Sequence, residues 1–399
     1  MTNQRRFASL FALLFLLTGC GADHAAQTRP MRTALDEGDA PRALQILDRL
    51  LRVRGSDTLP RSMASTNAVL VLDRATVQQS LGRIAASKRD YEAADKAIDV
   101  LDLSTGAEDA VSRWLYSDAA HRYVAPPHEK LLVNILNELN YLESHDLSGA
   151  RIEARRMSVT ARYLRSQALD PSASLAFGAQ LAGFTYEKSG NPEEARNYYD
   201  DARLPLPLFD PGEQEDGELL IIVGWGRVPS LVAKHAPVGG NAATWASYPM
   251  LGPDVPLGTT PSIVVDGRPI ALDATLDVAG EVRSDWNQIE GTVMAAAASR
   301  AVTRAALGAA IEGATATSDK DAVKGAGLLV SLFAQLALSA ADIPDTRSWE
   351  TLPARLGLAR VRLAPGDHRV TIAARGLRRD GTLRIDPGGW RATSMLALR

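Results

Sequence analysis

FTYEKSGNPEEARNYYDDA, residues Phe184 to Ala202, decides how the first half of this chain is read. Aromatic residues precede Gly190, Asn191 and Pro192, and Ala195, Tyr198 and Tyr199 follow them. An asparagine here can cap the next helix by accepting from its free backbone N–H groups. A proline fits the first helical position, which needs no N–H. Ala195, four residues past Asn191, lets the second helix lie close to the first. The stretch therefore reads as helix, tight turn, helix.

Working outward, the same spacing of Asp or Asn and Ala recurs three times. EGDAPRAL holds Asp39 and Ala43, KRDYEAADKA holds Asp90 and Ala94, and SHDLSGARIEARR holds Asp146 and Ala150. Apolar residues recur at three- and four-residue steps, as in Leu44, Leu47, Leu51 and Leu132, Ile135, Leu136, Leu139, which predicts helix after helix from 30 to 203. The unit resembles the tetratricopeptide repeat, with copies 51, 56 and 45 residues apart rather than roughly 34. A non-repeating helical bundle is the alternative. Arrays of that kind bind peptides or proteins in a concave groove. Tyr141, Tyr186, Tyr198 and Tyr199 either line such a groove or pack between repeats.

Residues 204–216 carry Pro205, Pro207 and Pro211 and then an acidic cluster, which is linker chemistry. Strand signals dominate 217–399. ELLIIVGWG is an apolar run ended by glycine, PSIVVDGRPIALDATLDV turns at Asp266-Gly267, and LARVRLAPGDHRVTIAARG alternates around Pro365-Gly366. A helical insert is expected over about 285–342, with Arg300 and Arg304 on one face. Its GAGLLVSLFAQLALSA run bears no charge between Lys324 and Asp342. It reads as core helix or as a membrane- or partner-inserting hairpin. The expected fold class is α+β: an all-α tetratricopeptide-like array, then a β-sandwich-like domain with a helical insert.

At the N-terminus, Arg5 and Arg6 precede the apolar run Phe7 to Leu17, too short to span a bilayer. Leu17-Thr18-Gly19-Cys20 resembles a bacterial lipobox, and Cys20 is the only cysteine of 399 residues. The resemblance implies a signal peptide at 1–19, acylation of Cys20, and a tether over 20–29. Several acyl chains anchor stably where one does not. By resemblance to enterobacterial sorting, Gly21 implies the outer membrane, with the body facing the periplasm.

HEKLLVNILNELNYLESHDLSGARIEARR (His128 to Arg156), GFTYEKSGNPEEARNYYDDA and DTRSWETLPARLGLARVRLAPGDHRV (Asp345 to Val370) together resemble an uncharacterised family of Gram-negative lipoproteins with tetratricopeptide-like repeats. That resemblance implies a partner in the cell envelope, other lipoproteins among the candidates, and the helical array leads to the expectation of a non-catalytic, outer-membrane-anchored scaffold that binds such proteins. It implies no activity and no cofactor. Net charge is −3, which argues against nucleic acid as partner. None of the histidines, His24, His121, His128, His145, His235 and His368, has the spacing of a metal-binding helix, so no metal is expected. No nucleophile elbow or phosphate loop occurs, and no catalytic residue is assigned. Asp345, Arg347 and Trp349 form the most site-like cluster. They either make a polar pocket or fix the chain's return from the insert to the sheet. A cell-wall hydrolase with an acid–base site near Asp345 is the alternative function.

Overall fold

Left-handed residues at four tight turns set the geometry of the helical half. The structure, a computed structural model, describes residues 23–64, 66–99, 123, 125–166, 172–202, 216–237, 245–316 and 343–399. Among these, eight helices precede the first strand: α1 His24–Asp36, α2 Ala40–Leu50, α3 Asn67–Ser80, α4 Ile84–Asp99, α5 Pro127–Glu143, α6 Leu147–Ser166, α7 Ser172–Lys188 and α8 Pro192–Asp201. They pack as consecutive pairs. Between the members of each pair stands a residue of positive φ: Gly38 (82°), Gly82 (71°), His145 (58°) and Gly190 (73°). The next N–H reaches back across the turn, from Asp39 to Ala34 O (2.8 Å), Arg83 to Gln78 O (2.9 Å), Asp146 to Tyr141 O (2.8 Å) and Asn191 to Tyr186 O (3.0 Å). This closes the end of each first helix.

This periodicity corrects the second repeat. Five residues beyond each left-handed residue lies a small buried one: Ala43, Ser87, Ala150 and Ala195. The second unit is therefore Gly82 to Ser87, not Asp90 to Ala94. Asp90 sits inside α4, where its carboxylate accepts from Arg74 Nε (2.6 Å) and Nη2 (3.1 Å). Asp39 and Asp146 do cap helices, accepting from Arg42 N and Gly149 N, both at 2.9 Å. Asn191 makes no side-chain cap bond.

The expected tether at 20–29 is also shorter than its reading. Chain from His24 onward is helical, and Asp23 caps it by accepting from Ala26 N at 2.7 Å. The helix is held because Ala25, Thr28 and Met31 are buried in the body.

Ten strands follow among the described residues: β1 Gly217–Trp225, β2 Leu231–Pro237, β3 Trp245–Leu251, β4 Ser262–Val265, β5 Arg268–Ile270, β6 Ala274–Leu276, β7 Arg355–Leu363, β8 Gly366–Ala374, β9 Leu377–Ile385 and β10 Trp390–Ala397. One sheet runs β10-β1-β7-β6 and a second runs β5-β4-β8-β9. In the first, β10 lies parallel to β1 and β7 antiparallel to it. Asp266 (φ 50°) and Gly267 (φ 79°) make the β4–β5 turn, the double left-handed geometry that suits a two-residue hairpin.

Every residue of β1 is buried, because both faces of its sheet are covered. Leu219, Ile221 and Val223 join Ile263, Val265, Val370 and Ile372 between the two sheets. Leu220, Ile222, Leu356 and Leu358 join the helical residues Leu131, Leu136, Phe184 and others in a second core. Helices, first sheet and second sheet are thus three successive layers. The helical half and the β-rich half share one apolar core instead of standing as separate bodies. Apart from Asp216, the expected linker at 204–216 lies outside the described residues.

The insert begins earlier than expected. Helix α9 runs Val278–Ala316, seven residues ahead of 285, because Asp277 caps it through Gly280 N at 2.9 Å. The β2–β3 hairpin packs on it through Leu231 against Trp286 and Val293, and through Ala246 against Ala297 and Ala301. The uncharged run between Lys324 and Asp342 lies outside the described residues. Among the described residues, no helix is long and apolar enough to cross a membrane.

Candidate functional site

The segment 343–354, which leads into β7, crosses the inner face of the helical layer and is bonded to it along its length. Ala25 N donates to Thr346 Oγ1 at 3.0 Å. Trp349 is fully buried; its backbone N–H donates to Glu129 Oε1 and its indole N–H to Thr76 Oγ1, both at 2.9 Å. Its ring meets Tyr91 edge-on with centroids 5.8 Å apart. Glu350 pairs with Arg32. Thr351 donates to Asp73 Oδ1 from its N–H (2.9 Å) and its hydroxyl (3.0 Å). Helices α1, α3 and α5 all contribute partners, so this strap occupies the face on which a groove was expected.

Of the two readings of the Asp345, Arg347 and Trp349 cluster, the return of the chain fits. Arg347 Nε and Nη2 donate to Asp345 Oδ1 and Oδ2 at 2.8 and 2.6 Å, and Arg347 N also donates to Oδ1. Both Asp345 oxygens are thus engaged by a neighbour two residues away. Trp349 points instead into the helical layer.

The tyrosines chosen as groove candidates pack between helices. Tyr186 and Tyr198 stack at 5.2 Å, Tyr199 donates to Glu187 at 2.7 Å, and Tyr141 donates to Glu92. A cleft of about 180 Å³ beside them is bordered by Met157, Ser158, Arg162, Leu175 and Tyr198. His128 bonds Asp285 (2.6 Å), His235 bonds Ser247 (2.9 Å) and His368 bonds Asp266 (2.6 Å). His145 stacks on Trp390 at 4.1 Å, tying its turn to the sheet. Cys20, His121 and Arg304's side chain lie outside the described residues.

One grouping escaped sequence reasoning. His24, Asp73 and Glu350, from α1, α3 and the strap, each place one potential ligand atom within 4.8 Å of the other two, and all three are buried. Burial holds the His24 imidazole down at about 4, against the pull of Asp345. Burial, and then Glu350, pushes the Asp73 carboxyl far above the usual carboxylate range. Burial also raises Glu350 despite Arg32. Nothing in their spacing links these residues. The one available signal was Asp73-Arg74 inside the apolar run AVLVLDRATV (Ala68 to Val77), since a charged pair amid core residues needs buried partners.

No family model matches the chain, and no curated protein matches it. Among solved structures, it is similar to one described as "Crystal structure of MamA". Identity is 17%, covering 43% of this chain and 91% of that one, with a TM-score of 0.18.

Proposed function

We propose that this protein is an outer-membrane-anchored lipoprotein, facing the periplasm, that works as a non-catalytic scaffold for other envelope proteins. The observation that carries the scaffold reading is the series of four helix pairs with recurring turns, an architecture of tetratricopeptide-like type that serves recognition through its surfaces. Because the strap fills the inner face, partners are expected on outward helix faces. Anchoring rests on the sequence Leu17 to Cys20. The Asp345 carboxylate is taken up by Arg347, so a hydrolase with its acid–base site near Asp345 would need another residue as its acid.

The test has two arms. Cys20→Ser removes the thiol nucleophile, so labelled palmitate should no longer enter the protein and it should leave the membrane fraction. Palmitate on the Ser variant would defeat the anchor. Crosslinking in intact cells should join residues 30–203 of the wild-type chain to envelope proteins. Crosslinks confined to the sheets would defeat the array as the binding part.

A further inference from the structure

We infer that His24, Asp73 and Glu350 form a three-ligand site for one divalent transition-metal cation of the zinc type. The argument starts from atoms that lack partners. His24 Nε2, Asp73 Oδ2 and Glu350 Oε2 are all buried and none makes a hydrogen bond. Buried polar atoms are almost always paired, and three orphans from three distant parts of the chain converge here. Their side chains bring ligand atoms within 4.8 Å of one another. Ligands around a tetrahedral zinc with bonds of roughly 2.0–2.1 Å stand about 3.4 Å apart, so a small inward movement closes the set.

The other atoms of the same side chains are fixed, as metal ligands require. Asp73 Oδ1 is held by the Thr351 N–H and hydroxyl. Glu350 Oε1 is held by Arg32. The His24 ring hydrogen-bonds the Ser348 backbone. One imidazole and two carboxylates suit zinc, and also manganese or iron, better than a soft thiophilic ion. Arg32 compensates one of the two buried carboxylates, Glu350, and a divalent charge would neutralise what remains on Asp73 and the shared pair. Three protein ligands leave a fourth position for water. The bound ion would join α1, α3 and the strap at a single point.

The experiment uses the full-length chain, stripped with chelator and titrated calorimetrically with Zn²⁺, with Mn²⁺ and Mg²⁺ as comparisons. One Zn²⁺ should bind per chain and raise the melting temperature. Asp73→Asn and His24→Gln should each weaken Zn²⁺ binding at least ~100-fold, the loss expected when a ligand is removed, exceeding that of its supporting residues. Glu129→Gln, a buried acid whose partners are the Trp349 N–H and the Tyr123 hydroxyl rather than a cluster residue, should leave the affinity within a few fold. Cobalt(II) provides a readout on the wild-type chain alone: visible d–d absorption of a four-coordinate ion should appear at one equivalent. Absence of that absorption together with no zinc heat would overturn the inference. So would zinc binding unchanged in both ligand variants. Rising stability of Asp73→Asn and Glu350→Gln with no metal bound by the wild type would also overturn it, showing a shared proton in the site instead.

Discussion

Arg360 on strand β7 donates to both oxygens of Glu187 in the last turn of α7, Nη2 to Oε1 at 2.6 Å and Nη1 to Oε2 at 3.0 Å. The same guanidinium donates to Glu218 Oε2 on β1 from Nε (2.9 Å) and Nη2 (2.6 Å). It also lies over the Phe184 ring, 5.0 Å from the centroid. Its side chain is only 2% exposed, so the helical layer and the first sheet are joined here by a buried, bidentate charge contact.

Arg360→Met should therefore lower stability by about 3 kcal/mol at neutral pH, because it strands two carboxylates beside a single lysine. Urea denaturation measures the loss. Adding Glu187→Gln should recover part of it, giving a coupling of roughly 1 kcal/mol or more. Strictly additive effects of the two changes would show that the contact carries no energy.

Acid should weaken the same contact in a defined window. Burial pushes the Glu187 carboxyl up, but the hydrogen bonds and charge of Arg360, aided by Tyr199 and Lys188, outweigh it and hold the group down at about 2. A carboxyl with a folded pKa below its unfolded one contributes stability that is complete above the unfolded value, and that stability is lost as pH falls through the folded value. Wild-type melting temperature should thus drop more steeply than that of Glu187→Gln between about pH 4.5 and about pH 2. Parallel curves would show that Glu187 titrates as an ordinary surface acid.

Trp349→Ala should cost about 3–5 kcal/mol, the range for a large aromatic removed from a core. Because helices and first sheet share that core, the loss should not be confined to one layer. Hydrogen exchange should speed up in α3 and in β1 together, and helical and sheet signals should melt in one transition. Two separate transitions would mean that the halves fold independently.

Glycine replacements should change stability in opposite directions along the chain. A Cβ at Gly178 in α7 would lie 2.3 Å from Met157 Sδ and 2.8 Å from Ile135 Cδ1, while at Gly291 in α9 it would meet nothing within 4 Å. Gly178→Ala should therefore destabilise by about 1–3 kcal/mol through overpacking. Gly291→Ala should stabilise by about 0.5–1 kcal/mol through helix propensity alone. Thermal melts of the two variants check both signs, and a gain at Gly178 would show that α6 and α7 have room to separate.

The helical repeat was legible in the sequence wherever capping chemistry is local. Asp39 and Asp146 mark helix starts because a cap acts over three residues, and Asn191 marks one through the Pro192 that follows it at the first helical position. Asp90 misled for the same reason: an Asp followed four residues later by Ala also fits the middle of a helix, and its partner Arg74 lies on another helix. Strand β1 was legible as a continuous apolar run. What covers its two faces was not, since that depends on contacts between residues over a hundred positions apart, such as Glu218 with Arg360. The strap was visible only as a site-like cluster, and the grouping of His24, Asp73 and Glu350 has no local signature at all.

The helical start at His24 sets how far the body could stray from an anchor at Cys20. Chain geometry allows at most ~3.6 Å per residue, so a ten-residue leash from Cys20 would reach roughly 35 Å. Only three steps separate Cys20 from Asp23, a reach of about 11 Å, and Ala25 is already bonded to Thr346. If Cys20 carries lipid as proposed, so short a leash would hold α1 beside the bilayer and keep the protein from reaching targets far above it; its partners would then be those that lie at that same height.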